Sequence, residues 1–358
     1  MTWLLNNQEV EQALAPHDAI AATECIYREL AEGTAINRPR SQTYMPVESK
    51  EHPGFKYRFK SQEGSGVSSG VWALRITSDM AGFSYTAGVK RRRILPVATG
   101  NRYCGLVILF DIEKIEPVAI MPDGVIQKVR VAALSTVGAK YLAPANPKVL
   151  GLFGSGWQAG AHLEFLCSQF PFERVKVYSP NHEHCREFCA HMSARLERSV
   201  EAVDEPRKAV EGSDFVQAAT AAWDAVFDGR LVEKGMYVCS IGGSDATNKR
   251  REIDDETIRR ADLYVVHSKE VARLDQSPDV WEIAQKGIKS WDSIQEVQDL
   301  VAGKVQGRTR PDQITVFNNN TGAGTQFAAV GAAVLRRARA MGLGREIPTE
   351  WFLEDVSP

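Results

Sequence analysis

Hydrophobic spacing along the chain changes period twice. Residues 1–50 read as one opening helix, centred on 18–32, that runs into the proline-containing segment Asn37-Arg38-Pro39-Arg40. From 54 to 123 the pattern turns to strand. Lys56-Tyr57-Arg58-Phe59-Lys60 alternates polar and aromatic, and Val71-Trp72-Ala73-Leu74-Arg75-Ile76 and Cys104-Gly105-Leu106-Val107-Ile108-Leu109-Phe110 are strand-like runs. Their hairpin-length separations predict an antiparallel sheet. Residues 125–142 form an amphipathic helix, and a third texture follows. Short apolar runs at 149–153, 175–178, 215–219, 236–241, 263–266 and 314–317 alternate with helical segments. That alternation predicts βαβ units and a parallel, doubly wound sheet, so the fold class is α/β. A last helix, 328–341, stops at Gly342-Leu343-Gly344 and is expected to return to the N-terminal domain.

The first of the parallel strands, Val149-Leu150-Gly151-Leu152-Phe153, ends in Gly154-Ser155-Gly156-Trp157-Gln158-Ala159 and leads into a helix over 158–170. Gly154 allows the tight turn, Gly156 lets the backbone approach a pyrophosphate, and Ala159 permits close helix–strand packing. The helix start adds free N–H groups and a partial positive charge. The six residues therefore make a candidate phosphate cradle. At the tip of the next strand, Val177-Tyr178-Ser179-Pro180-Asn181-His182 has no carboxylate to accept from a ribose 2′-hydroxyl. With Ser179 and Asn181 there instead, the sequence leans to NADP over NAD. Thr220, Gly242 and Asn318, near the ends of later strands, are further candidate cofactor contacts. In the run Asn318-Asn319-Asn320-Thr321, Asn320 is a candidate substrate contact.

Composition narrows the field without adding chemistry. At 358 residues the chain fits two domains or one large one, with 44% hydrophobic and 25% charged residues. A formal net charge of −2 leaves no footprint for nucleic acid or an acidic membrane surface, and no run approaches a membrane span. Lys90-Arg91-Arg92-Arg93 is the one basic cluster, a solvated loop or a pocket for an anion. Six cysteines lack metal-site spacing, no metal site is expected, and Met1–Asn7 does not read as a secretory leader. These features together predict a cytoplasmic protein with reduced thiols.

Further motifs recur in a fixed order. The Gly154–Ala159 turn is followed by Ile241-Gly242-Gly243-Ser244-Asp245 with Lys249-Arg250-Arg251-Glu252-Ile253. Gly303-Lys304 and Gly307-Arg308 then precede Ile314-Thr315-Val316-Phe317. In these the chain resembles the ornithine cyclodeaminase/mu-crystallin family over nearly its whole length. The resemblance implies a Rossmann domain, here 126–319 with a bridging helix. It also implies a mixed α/β substrate-binding and dimerisation domain built from both chain ends, 1–125 and 320–358, and hence a homodimer. The implied chemistry moves hydride between a nicotinamide and the α-carbon of a small, anionic amino acid or its imine.

Carried over by residue, Arg130, in Arg130-Val131-Ala132-Ala133, stands where the family grips the substrate α-carboxylate. A guanidinium suits that task because its planar fork pairs bidentately with a carboxylate and stays charged. Arg40 resembles the family's N-terminal carboxylate-binding arginine, with Arg38 two residues away. Arg75 stands at the usual catalytic lysine, and Phe327, in Gly322-Ala323-Gly324-Thr325-Gln326-Phe327, at the usual aspartate. Along the chain the next acid after Phe327 is Glu346. The implied reading is an NAD(P)H-dependent imine or ketimine reductase, or the equivalent amino-acid dehydrogenase, with Arg75 and Arg130 at the reacting centre. Three arginines (Arg40, Arg75, Arg130) point to a dicarboxylate or otherwise strongly anionic substrate. The alternatives are ornithine cyclodeamination, which lacks its proton-shuttling acid here, and a non-catalytic mu-crystallin-like NADP- and ligand-binding protein.

Overall fold

A computed structural model describes residues 1–86, 88–244 and 248–356. The chain divides into two compact units. One comprises Met1–Phe83, Arg93–Arg130 and Gly322–Pro358, and the other Ser84–Arg92 with Val131–Thr321.

The first unit is built on a mixed sheet. From one edge its strands run Arg345–Ile347, Thr2–Leu4, Pro117–Pro122, Cys104–Asp111, Val71–Thr86, Phe55–Gly66 and Ala35–Asn37, with Ser41–Tyr44 also on Phe55–Gly66. These neighbours pair antiparallel, except Thr2–Leu4 with Pro117–Pro122. The opening region is therefore not one helix. It holds the strand Thr2–Leu4, the helices Asn7–Ala13 and Pro16–Glu32, and two further strands. The short strands exist by pairing with partners far along the chain, which local periodicity does not register.

The helix Gly324–Met341 packs on this sheet and on Pro16–Glu32, and it begins four residues earlier than its apolar spacing predicts. Its start is fixed from a distance: the Gly324 N–H donates to Asn37 Oδ1 at 2.7 Å. It also crosses the Phe55–Gly66 strand backbone to backbone. A Cβ on Gly324 would lie 1.9 Å from the Glu63 carbonyl, and one on Gly64 would lie 2.5 Å from Thr325 N. This crossing brings Gln326 and Phe327, both buried, beneath the sheet.

The second unit is the parallel sheet that the alternation predicts. Among the described residues its order is Ser199–Ala202, Arg174–Tyr178, Val149–Phe153, Phe215–Ala218, Tyr237–Ser240, Thr315–Asn318, Leu263–Val266 and Gln295–Glu296. The first strand in the chain, Val149–Phe153, lies between the second and the fourth. The winding reverses there, and the carboxyl ends at such a switch point leave a crevice for a ligand. Fully buried Phe153, Val216, Val238, Val266 and Val316 belong to its core.

Candidate functional site

The Gly-rich turn sits at that switch point. Gly154 has φ +107°, a conformation that suits glycine, and a Cβ there would lie 2.5 Å from the Ala219 carbonyl oxygen. Its N–H donates to the Tyr178 carbonyl at 2.9 Å, tying the turn to the neighbouring strand tip. Nothing lies within 4 Å of the Cβ position of Gly156, and no side chain caps the helix Trp157–Gln169 that follows. The first-turn N–H groups are thus left for an external acceptor. Ala159 is fully buried, Ser155 is buried, Trp157 is half exposed and Gln158 Oε1 is buried without a partner. The residues present fit a bound pyrophosphate. His162 on this helix is structural: its ring lies 2.8 Å from the Gln158 carbonyl and 3.1 Å from Ser135 Oγ. Burial holds it down at about 4, so it is neutral at ordinary pH.

Other expected cofactor contacts divide. Ser179 is buried at the second strand tip, and Asn181 uses its side-chain oxygen to cap the next helix at the His184 N–H, 3.1 Å away. Thr220 and Asn318 are engaged inside the fold through their side-chain donors, while Asn318 Oδ1 is buried without a partner. The Thr220 hydroxyl donates to Glu252 at 2.6 Å, and the Asn318 amide donates to Asp279 at 2.6 Å. Glu252 also accepts from the Ile241 N–H at 2.7 Å and packs on Gly242, so it staples two strand ends together. Arg250 donates to the Gly243 carbonyl at 2.7 Å. The Lys-Arg-Arg-Glu motif is therefore strand-end architecture. Asp245 lies outside the described residues. Asn320 keeps a buried amide oxygen without a partner.

In the first unit, the alternation of Phe55–Gly66 turns its polar set inward. Arg58 and Gln62 are buried while Tyr57 and Phe59 are exposed. Opposite Gln62 stands Arg75, which is buried and paired with Asp123: Nε donates to Oδ2 at 2.8 Å and Nη2 lies 2.6 Å away. Arg75 Nη1 donates to Gln62 Oε1 at 3.0 Å. An acid does therefore serve this region, and it comes from the segment before the Gly124–Leu142 helix, 48 residues from its partner. Arg75 is thus held by Asp123 and Gln62 and is charge-matched.

Arg130 is different. It is buried, and its Nη1 donates at 2.7 Å to neutral Gln326, whose amide donates to the Tyr27 hydroxyl at 3.0 Å. Its Nε and the Gln62 Nε2 are buried without partners. Burial and then the Arg75 charge push it down to about 9, so it remains cationic near neutrality. Phe327 forms the floor, fully buried, with the guanidinium carbons of Arg75 and Arg130 at 5.3 and 5.4 Å from its ring centre. Gly322 closes one side: a Cβ there would meet Gln62 Nε2 at 2.5 Å and Arg130 Nη1 at 2.9 Å. Arg40 is half-buried and acts electrostatically on Arg130.

Sequence reasoning missed Lys60, Gln62, Tyr27, Asp123 and Gln326. The alternation of residues 56–60 was the one available signal, because it puts Arg58 and Lys60 on the face that also carries Gln62. Burial first, and then the charges of Arg75, Arg40, Arg58 and Arg130, push the Lys60 amine well below the usual lysine range.

A doubly wound sheet with a phosphate cradle at its switch point, joined in one chain to a unit that carries buried donors without partners, defines a dinucleotide-binding protein of the Rossmann class. The chain belongs to the ornithine cyclodeaminase/mu-crystallin family, whose model matches residues 2–340. It is 28% identical to the Delta(1)-pyrroline-2-carboxylate reductase of Bacillus cereus over 244 residues, 68% of this chain and 74% of that protein. It is 27% identical to the iminosuccinate reductase of Paracoccus denitrificans over 340 residues, 95% of this chain and 98% of that one. The solved structure of Thermococcus litoralis Delta(1)-pyrroline-2-carboxylate reductase in complex with NADH and L-proline is similar with a TM-score of 0.82 at 26% identity. That similarity covers 97% of this chain and all of the other.

Proposed function

We propose that the protein is an NAD(P)H-dependent reductase of a small imino acid, the reverse step being oxidation of the corresponding amino acid. The observation that carries this reading is Arg130, a buried guanidinium hydrogen-bonded to a neutral amide and holding a spare Nε. A buried cation without a counter-ion is costly, and a substrate α-carboxylate supplies the missing charge and acceptors. Gln62 Nε2 offers a second donor to the same anion. The Phe327 ring excludes water and brings no competing acid, which favours an imine entering as its iminium over the proton shuttling that a cyclodeaminase needs.

Gly154 to Ala159 would hold the dinucleotide pyrophosphate, with Ser179 and Asn181 toward the adenosine ribose. When bound, the nicotinamide supplies the hydride for the C=N carbon. The lack of an acid at the second strand tip favours NADP. The names of the Bacillus, Paracoccus and Thermococcus relatives support the same reaction class, and the family resemblance supports a homodimer.

The test is a panel of cyclic imino acids and of 2-oxo acids with ammonia, mixed with NADPH or NADH and followed by loss of reduced-nicotinamide absorbance. Turnover of at least one imino acid is expected. Dinucleotide binding without turnover on any of them overturns the reading in favour of a binding protein.

A further inference from the structure

The sheet of the first unit narrows the imino-acid reading to a substrate class, an inference that rests on that reading. The register of Phe55–Gly66 on Val71–Thr86 sets Gln62 opposite Arg75, Lys60 opposite Thr77 and Arg58 opposite Asp79. Alternate residues share a face, so these pairs form three rungs on one side of the sheet, each roughly 6.6 Å from the next. The first rung, with Arg130 and Gly322, is the carboxylate anchor. The third is nearly self-contained, because Asp79 takes both Nε, at 2.8 Å, and Nη2 of Arg58. It leaves over Arg58 Nη1, which is buried and has no partner. The middle rung presents the Lys60 amine and a Thr77 hydroxyl that is also buried without a partner.

The charges on this face do not balance. Arg58 with Asp79 and Arg75 with Asp123 cancel, while Arg130 remains, and protonation of Lys60 adds a second unmatched cation. One α-carboxylate on Arg130 would leave Lys60 among four guanidiniums, the charges that act on it most strongly. Arg75, which the sequence suggests as a receiver of a second acid group, is already matched by Asp123. We propose that Lys60, Thr77 and Arg58 Nη1 form a second anion subsite for a carboxylate on the substrate side chain, so that the preferred substrate is the imine of a 2-oxo dicarboxylic acid of four or five carbons. One rung along a strand is about the span between the outer oxygens of such an acid, roughly 6.6 Å. The buried hydroxyl and guanidinium donors then gain the acceptor they lack, and the anion favours the protonated form of Lys60.

The test measures binding of succinate and of butyrate to the NADH-loaded protein by calorimetry, for the wild type, Lys60→Met, Lys60→Arg and Thr77→Val. The wild type is expected to bind succinate at least tenfold more tightly than butyrate. Lys60→Met should bring that ratio to threefold or less by weakening succinate far more than butyrate, Lys60→Arg should keep most of it, and Thr77→Val should reduce it. Lys60→Met removes an amine that sits among four guanidiniums, so the fold should survive, and a melting curve checks this. A wild-type ratio near one, a ratio unchanged in Lys60→Met, or equal weakening of both acids overturns the subsite. Turnover is scored separately with ammonia and either oxaloacetate or pyruvate. If neither imine is reduced while the succinate preference behaves as expected, the reductase reading fails and the subsite stands.

Discussion

Gly322 fixes how closely the chain approaches the donors of Arg130 and Gln62. Its place is taken by no other residue without cost, because an added methyl would overlap the ends of both side chains. Those ends can move, so Gly322→Ala should keep its fold and melting temperature. The displaced donors should raise KM for the imino acid about tenfold, the effect of spoiling one charge-assisted hydrogen bond. Steady-state kinetics beside a thermal melt would check both halves. At this scale the sequence is readable only in part. Arg130 could be placed because its surrounding residues resemble a family motif. Asp123 could not, since it reaches Arg75 through tertiary structure, and a search along the chain for an acid near Phe327 passes it by. Lys60 stands within a visibly alternating strand, but nothing local says which face of that strand is buried.

Among the elements, the junction of the Val149–Phe153 strand with the Trp157–Gln169 helix is the most exacting. Gly154→Ala sets a Cβ against the Ala219 carbonyl and demands a left-handed conformation. A loss of ~1–3 kcal/mol in stability is expected, visible in urea denaturation. Binding of NADPH, followed by nicotinamide fluorescence, should weaken at least tenfold because the turn that presents the helix N-terminus has shifted. This junction was legible, since its turn, strand and helix are contiguous. Six of the parallel strands were legible as apolar runs, whereas the edge strands Ser199–Ala202 and Gln295–Glu296 were not. Less legible were the strands Thr2–Leu4, Ala35–Asn37 and Arg345–Ile347, too short to show a period, and the true start of the Gly324–Met341 helix, whose cap comes from Asn37.

For the whole molecule, the buried acid Asp279 links stability to pH. Its side chain accepts from Asn318, and its other oxygen has no partner. Burial pushes it up to about 6, against the pull of the Asn318 amide and Arg251. The native protein therefore holds this proton more tightly than the unfolded chain does. The group's contribution is full below about pH 4 and is lost as pH rises to about 6, a fall on the order of 3 kcal/mol. Asp279→Asn should remove that component, so that its stability gain over the wild type is larger at pH 7 than at pH 4.5 in urea titrations. The inward-facing cations carry a different consequence at this scale. A chain of formal net charge −2 has little long-range attraction to offer an acid in solution. Dilute anions must therefore arrive by unassisted diffusion and be sorted only after they have shed water inside. The rate of capture will then hardly respond to ionic strength, because screening acts on fields that cross solvent and reaches poorly into a dry interior.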